Sequence, residues 1–198
     1  MEVQIEEESL SRLSEYAKIP IVFIANSRVN LDRLTRSPQD FSLDTVPLAS
    51  PFEKDYDAYP HNRPTDWPER FEMSDWGCFA AVLDGQRVGG SVIARNSPEL
   101  ALLEGRADLA LLWDIRVAPR FRGVGIGTRL LEASERWASS NRCVALVVET
   151  QDFNVAACRF YARHGYRLKR IARNAYPELP DETQLIWERE LTTTTRAP

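Results

Sequence analysis

The sequence predicts one α+β domain built on a sheet of about seven strands, and three observations carry that prediction. A length of 198 residues suits a single well-cored domain, so residues 1–198 are read as one unit. Hydrophobic residues at 43% and charged residues at 27% give the balance of a chain that folds. The hydrophobic periodicities run strands, then strand-helix-strand-helix, then strands again.

The elements follow in order. Ile19 to Leu31 is rich in β-branched and aromatic residues and reads as an opening strand. Between Arg36 and Trp76 six prolines forbid a long helix and leave room for one short helix near Thr65 to Met73; residues 36–76 read as an acceptor-side wall or lid. Cys78 to Leu83 and Val88 to Arg95 flank Asp84-Gly85, a pair that tolerates the positive φ of a tight hairpin turn. Leu109 to Val117 alternates, with Leu109, Leu111, Trp113, Ile115 and Val117 on a core face and Asp114 and Arg116 on a face that carries charge. Pro119 ends that strand. A helix follows through about Ser139, with Ile126, Leu130, Ala133 and Trp137 at helical spacing. Val144 to Thr150 is a buried strand, Asn154 caps a second helix with Ala157, Phe160, Tyr161 and His164 on one side, and Gly165 stops it. Tyr166 to Ala172 and Thr183 to Arg189 read as closing strands, and 192–198 as a loose tail.

Composition excludes several classes. The acidic start Met1-Glu-Val-Gln-Ile-Glu-Glu-Glu8 is unlike a signal peptide and no apolar run is long enough for a membrane helix, so a cytoplasmic address and no membrane partner are expected. The net charge of −4 argues against a nucleic-acid surface. Cys78, Cys143 and Cys158 lack metal-ligand spacing and read as buried thiols, with no metal site.

The chemistry is carried by Arg122-Gly-Val-Gly125-Ile-Gly127, placed where a strand hands over to a helix. Glycines let backbone approach a ligand closely, and the amides of a helix start carry partial positive charge, a combination suited to pyrophosphate. Arg120, Arg122 and Arg129 add positive charge on side chains read as mobile. A dinucleotide fingerprint fails in both registers at Thr128 and Leu130, and a P-loop fails because no Lys precedes Thr128.

What remains, R-x-x-G-x-G after a strand, resembles the cofactor motif of the GNAT superfamily of N-acetyltransferases. Its second feature, Asn-x-x-Ala-x-x-Phe-Tyr, stands about 25 residues on as Asn154, Ala157, Phe160 and Tyr161. Within the superfamily, Trp113-Asp-Ile-Arg-Val117, Val148-Glu-Thr-Gln151, Ala157-Cys-Arg-Phe-Tyr161 and Ala175-Tyr-Pro-Glu178 look most like the streptothricin acetyltransferase group. The resemblance implies a mixed, mostly antiparallel sheet with helices on both faces, and an acetyl-CoA-binding core over 109–165. It implies that the backbone of Ile115, Arg116 and Val117 pairs with pantetheine, and that Arg122, Gly123, Val124, Gly125, Ile126, Gly127 and Thr128, with Asn154 beyond, hold the cofactor. Tyr161 then protonates the departing CoA thiolate, a transfer for which a phenol of pKa about 10 is suited; a plain core aromatic is the other reading of Tyr161.

An ammonium acceptor must lose a proton before it attacks. About six pKa units, or about 8 kcal/mol, separate an ordinary amine from an ordinary glutamate, so a carboxylate base needs a raised pKa or a water relay. Glu149 and Asp114 are the candidates, as base or as anchor for the substrate's cation; Asp114 has the competing reading of pairing with Arg116 two residues along. Trp113 and Tyr176 complete the substrate-binding candidates, because aromatic and acidic groups suit a cation. His164 reads as an exposed partner of its helix C-terminus. The expected acceptor is a primary amine of a small cationic molecule, streptothricin-like, and the enzyme is expected as a monomer or homodimer. A protein N-terminus or lysine as acceptor, and a non-catalytic acyl-CoA sensor, are the competing readings.

Overall fold

The computed structural model describes residues 2–32 and 43–192. Most of its strands belong to one seven-stranded sheet with the hydrogen-bonded order β1-β4-β5-β6-β7-β9-β8, and β2 and β3 form a separate pair. The strands are β1 (Gln4–Glu7), β2 (Phe23–Val29), β3 (Thr45–Lys54), β4 (Gly77–Leu83), β5 (Gln86–Ala94), β6 (Leu109–Val117), β7 (Ala145–Gln151), β8 (Arg167–Ala172) and β9 (Gln184–Glu190). Among the described residues three α-helices accompany them: α1 (Leu13–Tyr16), α2 (Ile126–Ser140) and α3 (Val155–Arg163). The mostly antiparallel α+β sheet expected from the sequence is therefore present. The chain divides into two compact units: Met1–Val22 with Asp55–Leu146 and Glu190–Pro198, and Phe23–Lys54 with Val147–Arg189.

In the first unit β4 and β5 form the hairpin the sequence predicts, with both Asp84 (φ 49°) and Gly85 (φ 76°) in the left-handed region that such a turn needs. Antiparallel pairing extends from β1 to β4 and from β5 to β6. Helix α2 covers one face of this sheet, where the Ser91 and Ser134 hydroxyls meet at 3.0 Å. The other face receives Tyr16 of α1, which is completely buried and lies so close over Gly90 that a Cβ there would stand 2.6 Å from its ring. Helices thus occupy both faces. β5 and β6 change register between Val92, opposite Asp114, and Ile93, opposite Leu112. The extra residue of this β-bulge is Trp113, whose alternation is broken there.

The second unit is organised around β7. Thr150 accepts from the Trp187 indole N–H at 2.8 Å and meets Cys158 of α3 at 3.3 Å, pinning helix and β9 to one face of the strand. The β2–β3 pair is fastened within this unit by the Val29 amide on the Asp152 carbonyl at 2.9 Å and by two ion pairs, Arg28–Asp152 and the buried Lys54–Glu182.

Several expectations need correction. The opening strand is shorter than Ile19 to Leu31, while β1 and α1 precede it unforeseen. Within 36–76, residues 36–42 fall outside the described residues, β3 belongs to the second unit, and the short helix expected near Thr65 to Met73 is a 3-10 turn, Pro64–Glu69, in the first. The charged face of β6 is buried, with Arg116 only 3% exposed. On α3 the buried residues are Val155, Cys158 and Tyr161; Ala157, Phe160 and His164 are half-buried, so the apolar side is turned from the expected one. All but the first residue of the predicted tail, 193–198, lie outside the described residues. The three cysteines are buried free thiols, as expected. No described helix is long and apolar enough to cross a membrane.

Candidate active site

The glycine-rich turn has the geometry its sequence implies. Gly123 (φ 81°) and Gly125 (φ 89°) are left-handed, and Gly125 is the N-cap of α2. A Cβ on either would meet nothing within 4 Å, so the backbone conformation, and no neighbouring atom, asks for glycine there. The first helical bond runs from the Arg129 amide to the Gly125 carbonyl at 3.2 Å. Ile126 and Gly127 therefore precede the helical ladder, at the electropositive end of a fifteen-residue helix. Residues 122–125 are exposed, open to an anion from solvent. Such a backbone cradle fits a pyrophosphate. Arg122 is not the mobile charge the sequence suggested. Its guanidinium donates to the Val117 carbonyl at 2.8 Å, the Val22 carbonyl at 2.9 Å and the Pro20 carbonyl at 3.3 Å, so it ties the turn to the end of β6 and to the segment before β2.

On β6, Asp114 is committed elsewhere. One carboxylate oxygen accepts from the Tyr16 hydroxyl and from Arg116 Nε at 2.9 Å, and the other accepts from Arg116 Nη2 at 2.6 Å. Arg116 also holds Asp57, at 2.8 and 3.2 Å, and the Ile19 carbonyl at 3.0 Å. Burial pulls the Arg116 pKa down, but the Asp114 carboxylate beside it more than offsets this and holds the guanidinium firmly protonated. The pairing that competed with a catalytic reading of Asp114 is thus what the fold contains. Trp113, placed by the bulge, packs edge-on against Phe71 at 5.1 Å and Trp67 at 5.9 Å and lies 5.7 Å from Trp76. Its indole N–H is buried with no hydrogen-bond partner among the described residues. Ile115 and Val117 continue the strand opposite Ser91 and Gly89.

The second unit gathers the other candidates. Glu149 Oε1 accepts from the Tyr176 hydroxyl at 2.5 Å and from Gln151 Nε2 at 3.3 Å, and Oε2 accepts from Gln184 Nε2 at 2.8 Å. Gln151 also donates to the Tyr176 oxygen at 2.9 Å. Burial raises the Glu149 pKa from its ordinary value, while the hydrogen bonds from Tyr176 and Gln184 work against that rise. Burial and the adjacent carboxylate push the Tyr176 phenol well up, so it keeps its proton and donates it. Asn154 caps α3 as expected, accepting the Ala157 amide at 3.1 Å. Tyr161 on that helix is 4% exposed, with Phe160 and Tyr166 rings at 5.2 and 5.4 Å. His164 caps the helix C-terminus, half-buried rather than exposed, with Nδ1 at 2.7 Å from the Phe160 carbonyl.

The structure brings Glu149 and Tyr176 together, and in the other unit it gathers Trp113, Asp114 and Arg116 on one strand. Sequence reasoning missed Tyr16, Asp57, Gln151 and Gln184 as partners of these carboxylates. Only Gln151 had a local signal, two positions along β7 from Glu149 and hence on its face.

Comparisons with known proteins agree with this reading. The model of the family described as "Acetyltransferase (GNAT) family" matches residues 48–166. The chain is 39% identical over 80 residues to Streptothricin acetyltransferase A of Bacillus subtilis (strain 168), covering 39% of this chain and 46% of that protein. It is 32% identical over 154 residues to the Streptothricin acetyltransferase of Escherichia coli, covering 76% of this chain and 77% of that one. The chain thus spans less than half of the first relative and about three quarters of the second. Among solved structures, a Bacillus anthracis protein assigned as a streptothricin acetyltransferase, in complex with acetyl coenzyme A, superposes with a TM-score of 0.74 at 24% identity. That match covers 96% of this chain and all of the other, and at such identity it establishes the fold.

Proposed function

The chain belongs to the acetyltransferase (GNAT) family, and from that premise we propose that it moves an acetyl group from acetyl-CoA to a primary amine of a small cationic molecule of the streptothricin type. The observation that carries the acceptor's chemistry is the Glu149 carboxylate, half-buried on β7 and, among the described residues, held by neutral donors alone. Two relatives named for streptothricin acetylation support the choice of acceptor. Acetyl-CoA supplies an activated acyl carbon and a thiolate leaving group.

The chain's residues then act as follows. Amides of Gly123 to Thr128 hold the pyrophosphate at the start of α2, with Arg122 fixing the turn rather than touching phosphate. The β6 backbone from Ile115 to Val117 orients the pantetheine arm, and Asn154 sets the start of the helix that carries Tyr161. Glu149 receives the acceptor as an ammonium ion and takes one of its protons. Its raised pKa narrows the gap that makes an ordinary glutamate a poor base for an amine. The free amine bonds to the thioester carbonyl carbon, the carbon–sulfur bond breaks, and Tyr161 gives its phenolic proton to the departing sulfur. The second proton of the former ammonium leaves the new amide nitrogen and restores Tyr161 through solvent, and Glu149 gives up the first proton to solvent to complete the cycle. Asp114 holds Arg116 and Tyr16 in place and stays outside the proton path; Tyr176, bonded to Glu149, is the aromatic group offered to the cationic acceptor.

CoA release traced by a thiol reagent, over a panel of small cationic amines, peptides and lysine-bearing proteins, is the test. Turnover with the small cationic amines alone is expected. Turnover confined to peptides would move the acceptor to a protein N-terminus, and no release with any amine would remove the catalytic reading.

A further inference from the structure

Among the described residues the most deeply buried carboxylates have cationic partners, and the half-buried Glu149 forms no ion pair. The side chains of Glu8, Asp114, Asp152 and Glu182, each less than a tenth exposed, pair with Arg87, Arg116, Arg28 and Lys54 respectively. That pattern is what physics requires, because a buried charge without a countercharge is strongly disfavoured. Glu149 departs from it. Among the described residues no ammonium or guanidinium forms an ion pair with it; Arg170, on β8, acts on it only through its field. Three neutral donors from three places in the chain take the cation's place: Gln151 two residues along β7, Tyr176 from the loop after β8, and Gln184 at the start of β9.

We infer that Gln184 is a positioning residue for Glu149: with Tyr176 it holds the carboxylate ionised and aimed by neutral hydrogen bonds alone, leaving the countercharge to be brought by the acceptor's ammonium. This inference rests on the reading of Glu149 as the group that meets the acceptor. A neutral cradle suits that task better than a salt bridge. An internal cation would satisfy the carboxylate in the free protein, and the incoming ammonium would have to displace it; amides and a phenol stabilise the charge in part and leave its electrostatic attraction unspent. Gln184 is the donor best placed for this, because among the described residues it alone serves Oε2, while Tyr176 and Gln151 both serve Oε1.

The inference makes predictions of opposite sign. Gln184→Leu removes a donor that favours the ionised form, so the Glu149 titration midpoint rises, by roughly one pH unit for one hydrogen bond to a charged group. Tyr176→Phe moves it in the same direction. Gln184→Lys supplies an internal cation, so the midpoint falls below that of the natural chain and the KM for a cationic amine increases by about tenfold or more while kcat changes less. The midpoint is read by carbon-13 NMR of protein labelled at the glutamate carboxyl, the Glu149 signal being the one absent from Glu149→Gln, and the pH profile of kcat/KM is recorded alongside. Circular dichroism confirms that each variant is folded, and Tyr176→Phe serves if a Gln184 variant is not. Midpoints that stay within a few tenths of a pH unit in all three variants overturn the positioning role. Midpoints that move as expected while the acidic limb of kcat/KM stays in place support the positioning role and remove Glu149 as the group that meets the acceptor, which separates the two ideas.

Discussion

Replacing Asp114 by alanine separates a structural carboxylate from a catalytic one. In the folded protein Asp114 accepts from the Tyr16 hydroxyl and takes two donors of Arg116, whose side chain is 1% exposed. Removing one partner of a buried ion pair costs about 3–5 kcal/mol. The lower end applies here, because Asp57 and the Ile19 carbonyl still hold the guanidinium at 2.8 to 3.2 Å. The Tyr16 hydroxyl, left with only the long bond to the Gly90 carbonyl at 3.4 Å, adds about 1 kcal/mol, for a total of about 4 kcal/mol. In a chain of 198 residues each kcal/mol lowers the melting midpoint by about 2–4 °C, so Asp114→Ala should melt about 8–16 °C lower. Calorimetry or thermal denaturation followed by circular dichroism measures this. A cycle with Tyr16→Phe should show the two positions coupled by about 1 kcal/mol or more, since they share a bond. At a temperature where the variant is fully folded, kcat should stay within about tenfold of the natural chain. A midpoint lowered by less than about 2 °C together with a hundredfold loss of kcat would refute the reasoning and make Asp114 the base.

Other perturbations have equally definite outcomes. Glu149→Gln should lower kcat by about 10²–10⁴-fold, the usual contribution of a positioned base, measured by CoA release at saturating acetyl-CoA. Its stability effect has a sign set by linkage. Burial raises the folded pKa of Glu149, so in the natural chain this group adds stability as pH falls through that value and costs stability above it. The melting midpoint of Glu149→Gln minus that of the natural chain should therefore be more positive at pH 8 than at pH 4, and a difference independent of pH counts against a raised pKa. Gly125→Ala forces an L residue to φ 89° at a cost of about 1–2 kcal/mol, and isothermal titration should show weaker acetyl-CoA binding as the turn relaxes. Tyr161→Phe should cut kcat and leave the acetyl-CoA dissociation constant within about threefold; full turnover would reduce Tyr161 to packing.

Legibility from sequence followed the range of the interactions. β6 is read to its end residues, α2 to within one, and the Asn154 cap and Gly165 stop directly, because periodicity, a capping side chain and a left-handed glycine (φ 80°) are local facts. β3 was hidden by Pro47 and Pro51, which forbid a helix and are tolerated in a strand where no ladder N–H is needed. α1 is only four residues long and has too little periodicity to see, yet its Tyr16 reaches Gly90 and Asp114, 74 and 98 positions away. The same distance misled the reading of β6: strand alternation placed Asp114 and Arg116 together correctly, but their burial depends on Tyr16 and on Asp57, 59 positions from Arg116. Glu149 was found from its strand and its family position, whereas two of its three donors come from 27 and 35 positions downstream.

The alternation along β7 has a consequence for how the chain avoids folding wrongly. Adjacent residues there face opposite demands: Glu149 sits among polar donors, while Thr150 is locked under Trp187 and Cys158. A slip of one residue in strand pairing would exchange them, driving a carboxylate against an indole and a thiol that cannot satisfy it and turning the threonine toward two glutamines and a phenol. The residue proposed to handle the substrate's proton therefore also penalises a one-residue slip of β7.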